Sequence, residues 1–207
     1  MFYEPRNGHG LPHDPLKSLV APRPIGWIST RSLAGEVNLA PYSFFNLLQA
    51  APPIVYFASE SAKDSYEIAR ETGEFVVNIV GRELAAKMNA SSVDAPRGVN
   101  EFGYAGLTEA ASNLVSAPRV AEAPAALECK VTEIMTPRLM DGSSGNALVV
   151  IGQVVGIHIA DEMLVDGLFN SSLAGNVARL GYFDFSSADS LFAMRRPRWD
   201  GNGNQEN

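Results

Sequence analysis

Small polar side chains are concentrated in an apolar stretch near the start of the chain, where they could bind a ligand. The run RPIGWISTRSLAGEVNLAPYSFFN, at residues 23–46, contains Ser29, Thr30, Asn38, Ser43 and Asn46. A polar group that is buried without a partner costs about 1–3 kcal/mol. Turns and bulges could satisfy any one of these residues. Together they favour a ligand that takes hydrogen bonds from several of them.

A second group of residues could hold an anion. Lys63 directly precedes the segment DSYEIARET, in which Asp64 is a predicted helix N-cap and Glu67 occupies the capping-box position. Backbone N–H groups in the first turn of a helix carry partial positive charge, and an adjacent ammonium group adds to it. The pattern predicts a phosphate site at Lys63. A solvated lysine near a helix end explains the same residue equally well.

Aromatic residues lie close to both groups in the sequence. Trp27, Tyr42, Phe44 and Phe45 supply flat apolar surface, although aromatic residues in strands most often belong to the core. Combined with the polar and cationic groups, they indicate a site for a planar heteroaromatic ring that carries a polar chain and a terminal phosphate.

Other kinds of chemistry have little support in the sequence. It has no P-loop, no G-x-G-x-x-G, no G-x-S-x-G and no H-E-x-x-H motif. His158 lies on a predicted strand, and a packed or hydrogen-bonded structural role is favoured over catalysis. Cys129 is the single cysteine, so the chain can form no internal disulfide, and its position predicts a core residue. We predict no metal site and no side-chain nucleophile.

Composition limits the class of protein. With 207 residues and 46% apolar content, the chain is long enough for one domain with a real core. The formal net charge of −7 argues against a general nucleic-acid binder. No uninterrupted apolar run of about 18 residues occurs, which argues against a membrane span. The first residues lack the order of a secretory signal, so a cytoplasmic location is expected.

Short runs rich in Val, Ile, Phe and Tyr predict a mainly β fold. Predicted strands are 23–31, 37–44, 53–59, 74–80, 125–135 and 147–160. The first two should form a hairpin around residues 33–36, and the last two should form another around 141–146. Strands that are separated by turns, with few helices between them, are typical of an antiparallel β-barrel.

Two helices are expected, at residues 64–72 with Gly73 as a stop and from Arg82 to residue 90. In the fifth strand, Leu127, Cys129 and Val131 alternate with residues such as Glu128, so one face should be solvent-exposed. Residues 89–118 read as a long connection with a weak helical piece.

The motifs resemble those of the flavin reductase-like, FMN-binding split-barrel family, and in particular its flavoredoxin-type branch. The resemblance rests on RPIGWIST, NLAPYSFFN, PPIVYF and KDSYEIARETGEFVVNIV, which cover residues 22–80 almost continuously. The segment RLGYFDFSSADSLFAMRRP, at 179–197, is a weaker match to the family's C-terminal segment. Domain limits of 15–197 follow, with an N-terminal arm at 1–14 and a tail at 198–207 that we predict to be disordered.

The resemblance implies an antiparallel split β-barrel with a few short helices, and a homodimer that binds FMN near the subunit interface. Matching the family's motifs residue by residue implies an FMN site that contains Trp27, Ser29, Thr30, Asn38, Ala40, Pro41, Tyr42, Ser43, Asn46, Lys63, Asp64 and Ser65. Lys63, with Asp64 and Ser65, is expected at the phosphate end.

The expected activity is that of a flavin reductase that accepts hydride from NADH or NADPH onto bound FMN. A partner monooxygenase or another electron acceptor would then take the electrons. Two alternatives stay open. One is a non-catalytic FMN protein that carries electrons, and the other is a split barrel that has no cofactor and serves as a binding module.

Overall fold

The computed structural model describes residues 1–199 and residues 205 and 206, and most of its elements are short strands. The strands are β1 Arg23–Pro24, β2 Gly26–Arg31, β3 Val37–Tyr42, β4 Phe45–Ala50, β5 Pro53–Ser59, β6 Glu74–Asn78, β7 Glu109–Ala110, β8 Arg119–Val120, β9 Ala125–Met135, β10 Leu148–Ile159, β11 Leu164–Val165, β12 Leu168–Phe169, β13 Val177–Arg179, β14 Phe185–Ser187, β15 Arg198–Trp199 and β16 Gln205–Glu206. The segment 198–207 was predicted to be disordered, and most of its residues lie outside the described part. Its described residues form β15 and β16, which pair with each other.

Seven strands form the main antiparallel sheet, in the order β3-β2-β6-β9-β10-β5-β4. Its two edge strands, β3 and β4, are consecutive in the chain, and only Ser43 and Phe44 join them. Two extended residues span about 7 Å. The sheet therefore has to curl until the end of β3 meets the start of β4, and we call this meeting the seam. The prediction of a mainly β, antiparallel barrel is confirmed.

The predicted strands agree with the strands of the main sheet except at two places, and the short strands β7, β8 and β11 to β16 were not predicted. The run 23–31 is interrupted at Ile25, because β1 leaves the main sheet and pairs with β13. Strand β4 was not predicted. It pairs with β5 along one side, and its residues 46–50 are all exposed, so they show no alternation of buried and exposed positions.

The helices are few and short: α1 Leu16–Leu19, α2 Asp64–Thr72, α3 Ala85–Ala90, α4 Glu101–Tyr104 and α5 Ser171–Ala174. The prediction for 64–72 is confirmed, and the helix ends at Gly73 with a left-handed φ of 70°. The predicted N-cap is wrong, because Lys63 occupies that position and no side chain caps the helix. In the described residues, no helix is both long and apolar enough to cross a membrane.

Two apolar clusters lie on opposite faces of the curled sheet. Inside the barrel, Phe57 and Phe75 meet edge to face with their ring centroids 5.3 Å apart. A Cβ added to Gly152 would lie 2.5 Å from the Phe75 ring, so this glycine makes room for it. Outside the barrel, Trp27 and Phe102 belong to a cluster that fixes α3 and α4 against the sheet.

The face of β9 that was predicted to be solvent-exposed is partly covered. Lys130 and Thr132 are exposed there, but Glu128 is fully buried. Its carboxylate accepts hydrogen bonds from the backbone N–H groups of Asn113 (2.8 Å), Leu114 (2.6 Å) and Val115 (3.1 Å). The connection around residues 113–115 therefore lies over this face of the strand.

His158 on β10 completes this arrangement. Its Nε2 lies 2.5 Å from Glu128 Oε1, which confirms a hydrogen-bonded role for the histidine. Cys129 is fully buried in the barrel core, and burial raises the pKa of its thiol, so a core role is confirmed for it too.

Candidate functional site

A cleft of about 590 Å³ opens at the seam. One wall is the end of β3 with the Ser43–Phe44 link, and a second is the stretch from the end of β5 to the start of α2. The third wall is the loop that follows α3, with Glu101 of α4. Its volume lies in the range of about 300–1,000 Å³ that is usual for small-molecule sites.

The cleft brings together eight of the residues predicted from the sequence. These are Asn38, Ala40, Pro41, Tyr42, Ser43, Lys63, Asp64 and Ser65. The first five come from β3 and the link, and the last three from the start of α2. Since the curled sheet places these two segments next to each other, the hairpin residues and the cation at the helix start face one cavity.

A hydrogen-bonded chain of side chains forms the floor of the cleft. Ser65 Oγ donates to Asn38 Oδ1 at 2.6 Å, and Asn38 Nδ2 lies 3.3 Å from each carboxylate oxygen of Glu101. Glu101 Oε2 also accepts from the Leu39 N–H at 3.0 Å, on the edge of β3. The pKa of Glu101 is raised chiefly by burial, and the Leu39 N–H acts against that rise.

Tyr42 carries a hydroxyl that is buried close to the hydroxyls of Ser59 and Ser65. Its Oη is inaccessible to solvent and makes no hydrogen bond among the described residues. Burial raises the pKa of the Tyr42 phenol, and the nearby hydroxyls of Ser65 and Ser59 partly oppose the rise. Because its Oη is closed to solvent and its ring packs in the barrel core, the Tyr42 hydroxyl lies behind the surface of the cleft.

The mouth of the cleft carries the cations Lys17, Lys63 and Arg97. Lys63 is exposed, at the N-cap position of α2, and no carboxylate of the described residues forms a salt bridge with it. Lys17 lies over the Phe44 ring, 5.5 Å from its centroid. Arg97 contacts Glu36 and Glu71 at the long distances of 3.5 and 3.8 Å. A phosphate could bind here to side-chain cations and to the first turn of α2.

Four of the predicted residues lie outside the cleft. Ser29 is fully buried, where its hydroxyl donates to Pro118 O and accepts from Asn78 Nδ2. Thr30 is also buried, and Asn46 is exposed on β4, where its Oδ1 accepts from the N–H of Leu47.

Trp27, the fourth, supports the cleft from behind. Its Nε1 donates to Ser91 Oγ at 2.9 Å, and Ser91 lines the cleft. The tryptophan itself is fully buried in the outer apolar cluster. Its side chain can therefore affect a ligand through the position of the loop that follows α3.

Sequence reasoning missed the third wall of the cleft. The loop residues Ser91, Asp94 and Arg97, together with Glu101, lie in the connection at 89–118, which shows no periodicity. Asn100 followed by a glutamate is a helix-start signal, and Asn100 does cap α4 by accepting from the Phe102 N–H. That signal could have placed Glu101 on a short helix, but not beside β3.

The described residues contain no group of three or more His, Cys, Asp and Glu side chains that could hold a metal ion. The side chains that line the cleft supply amide, hydroxyl, carboxylate and cationic groups.

Comparisons with known proteins agree with the fold. An uncharacterized protein of Halalkalibacterium halodurans is 37% identical over 183 residues, which is 86% of this chain and 87% of that protein. The crystal structure of nitrilotriacetate monooxygenase component B from Bacillus cereus superposes with a TM-score of 0.84, at 27% identity, over 94% of this chain and 98% of that one.

The crystal structure of 2-nitrobenzoate 2-nitroreductase from Pseudomonas fluorescens is also similar. Its TM-score is 0.77 at 27% identity, and the match covers 88% of each chain. The sequence profile of the flavin reductase like domain matches residues 19–174. That match includes the seam, both its strands and the start of α2, and with it the chain belongs to the flavin reductase-like family.

Proposed function

We propose that this protein binds FMN in the seam cleft and is a flavin reductase that uses NADH or NADPH as the electron donor. The observation that carries the proposal is the meeting of the polar side chains of Asn38 and Ser43 with a cation at a helix start, in one cleft of a flavin reductase-like chain. The first group suits a polar ring or chain, and the second suits a phosphate.

The residues of the cleft fit FMN from end to end. Lys63 and the free N–H groups at the start of α2 would hold the phosphate. Backbone and hydroxyl groups from Ala40 to Ser43 would bond the ribityl chain and the ring edge. Asp64 sits in the first helical turn and is half-buried, so its carboxylate limits how close the phosphate can come to that side.

Such an enzyme needs no side-chain nucleophile. Bound FMN supplies the hydride chemistry. The tasks of the chain are to hold the ring, to leave one face open for a nicotinamide and to place hydrogen-bond donors where reduction adds negative charge. The openness of the cleft toward solvent at Lys17, Lys63 and Arg97 supports a donor that enters and leaves.

The relatives suggest two fates for the electrons. One is named as a component of a monooxygenase, which supports transfer to a partner enzyme. The other is named as a nitroreductase, which supports reduction of a substrate within the same protein. We favour a partner monooxygenase or another external acceptor, because the match to the monooxygenase component covers 94% of this chain and 98% of that one.

We further propose a homodimer with FMN near its interface, located in the cytoplasm. Support comes from apolar side chains that the single chain leaves uncovered. On β4, Leu47 and Leu48 are 55% and 58% exposed, next to the seam. In the stretch before β15, Leu191, Phe192 and Met194 are all exposed. A second copy that covers β4 would come close to the cleft.

The central test is to purify the protein, add FMN, remove the excess and measure the flavin spectrum and NAD(P)H oxidation. A reductase should retain yellow FMN and oxidise NADH or NADPH in a flavin-dependent way. Bound FMN that neither nucleotide reduces would favour an electron carrier. A colourless protein whose melting temperature does not respond to FMN would rule out both flavin functions and favour a binding module.

The variant Lys63→Ala tests the phosphate end of the proposed FMN site. Lys87→Ala is the control, because Lys87 lies on α3 and does not line the cleft. Lys63→Ala should weaken FMN binding about tenfold, which corresponds to one charge-assisted contact, while riboflavin binding and the melting temperature stay nearly constant. Fluorescence titration with the two flavins measures this. Equal FMN affinity in Lys63→Ala and wild type would refute the assignment.

A further inference from the structure

The chain of hydrogen bonds from Glu101 to Ser65 has a defined direction. An ionised carboxylate can only accept hydrogen bonds. The side-chain amide of Asn38 therefore has to turn its NH2 group toward Glu101, where Nδ2 lies 3.3 Å from both oxygens. Its carbonyl Oδ1 then faces Ser65, whose hydroxyl must donate to it at 2.6 Å.

This direction decides what the floor of the cleft offers to a ligand. Since the hydrogen of the Ser65 hydroxyl is used by Asn38, Ser65 Oγ keeps only its acceptor lone pairs. Asn38, which is 8% exposed and lines the cleft, keeps one N–H that is free to donate. If the amide of Asn38 were reversed, the donor and acceptor positions would change places.

Glu101 is itself held firmly in place. Asn100 caps α4 through the Phe102 N–H at 2.9 Å, and Phe102 is 1% exposed in the outer apolar cluster. The carboxylate also bonds the Leu39 N–H, which has no strand partner on that side of β3. A buried charge held by the backbone in this way is able to impose an orientation on its neighbours.

We propose that Glu101 is a positioning residue for the flavin: it fixes the Asn38 amide and, through it, the Ser65 hydroxyl in the orientation that the ring and ribityl chain require. This inference rests on the proposed function and adds to it a residue that lies outside the motifs shared with the family, in the irregular connection. Glu101 acts through Asn38 and needs no contact with the reacting atoms.

The test compares FMN and riboflavin binding by wild type, Glu101→Gln and the control Glu83→Gln, whose glutamate is exposed on the turn before α3. Glutamine keeps an acceptor for the Leu39 N–H, so the melting temperature without ligand should hardly change. Its NH2 group no longer forces the Asn38 orientation. We expect both flavins to bind about tenfold more weakly to Glu101→Gln, with an unchanged ratio of the two affinities, and no change for Glu83→Gln.

A double-mutant cycle with Ser65→Ala shows whether Glu101 acts through the chain. The double variant should bind flavin no more weakly than the weaker of the two single variants, because each change disrupts the same chain. Should Glu101→Gln fail to fold, Ser65→Ala alone should still weaken both flavins equally.

Two results would overturn the inference: unchanged flavin affinity in Glu101→Gln, or effects of the two variants that simply add. Failure of the proposed function looks different, because wild type itself would then bind neither flavin. A loss of FMN affinity alone, with riboflavin unaffected, would place Glu101 at the phosphate end and would also contradict the proposal.

Discussion

Two buried glutamates, Glu128 and Glu101, occupy similar surroundings and yet differ in how completely their neighbours satisfy them. Glu128 accepts three backbone N–H bonds and contacts His158. Glu101 begins a chain through Asn38 to Ser65, and this chain ends at residues that line the cleft.

The pKa values of the two carboxyl groups shift in opposite directions. Burial is the largest single influence on both carboxyl groups, and it raises their pKa values. At Glu128 the N–H of Asn113, His158 and the N–H of Leu114 outweigh burial, so its pKa is lowered. At Glu101 burial prevails and the pKa is raised. The comparison teaches that a closed polar network stabilises the fold, whereas an open one leaves capacity for a ligand.

The largest expected effect is on stability, from Glu128→Ala. It would leave three backbone N–H groups without an acceptor, and we expect a loss of about 3–5 kcal/mol in the free energy of unfolding. Denaturant unfolding measures it against Glu133→Ala, at an exposed position on the same strand. If both variants lost similar stability, the network at Glu128 would not be the closed structural one described here.

The second prediction concerns pH. A lowered pKa means that the unfolded state binds more protons, so Glu128 adds stability above about pH 4.3 that is lost as pH falls further. A raised pKa means that the folded state binds more protons than the unfolded state. The contribution of Glu101 to stability is therefore present below about pH 4.3 and is lost as pH rises above that value. Unfolding free energies of Glu128→Gln and Glu101→Gln between pH 3.5 and 7 should therefore diverge from wild type with opposite slopes. If the differences of the two variants from wild type changed with pH in the same direction, the two glutamates would not differ in the way described.

The smallest expected effect on stability comes from Tyr42→Phe. Because the hydroxyl that it removes makes no hydrogen bond within the described part of the structure, the unliganded protein should be equally stable or more stable by up to about 1 kcal/mol. Flavin binding should stay nearly constant, since this hydroxyl is closed to the cleft. Thermal melts and flavin titration compare it with Tyr104→Phe, whose ring is 62% exposed. A clear loss of stability without ligand would show that the hydroxyl is already satisfied.

The sequence allowed the sheet to be predicted better than the residues around it. Strand β9 has the bounds that its alternation indicates, and α2 ends at its glycine. Alternation within one strand cannot show what lies over it, which is why Glu128 was expected to be exposed. Strand β4 was missed because its exposed residues carry no periodic pattern.

The candidate site could be predicted only for those residues of the sequence motifs that also line the cleft. Asn38, Ser43 and Lys63 were found as small polar residues and as a cation at a helix start, and the residues that flank them were added by the resemblance to the family. Ser29 belongs to the same polar group in sequence, but its hydroxyl bonds Pro118 and Asn78 in the interior. Glu101 could not be found, because its role depends on a contact with Leu39, which lies 62 positions earlier in the chain.

The short connection of Ser43 and Phe44 has a mechanical consequence. It joins the two edge strands of the sheet directly, so its length limits how far the end of β3 can move away from the start of β4. Lengthening it with glycines, one at a time, would relax this limit while the hydrogen-bond ladders of the sheet stay intact. The split in the barrel could then be widened without a change in any strand pairing.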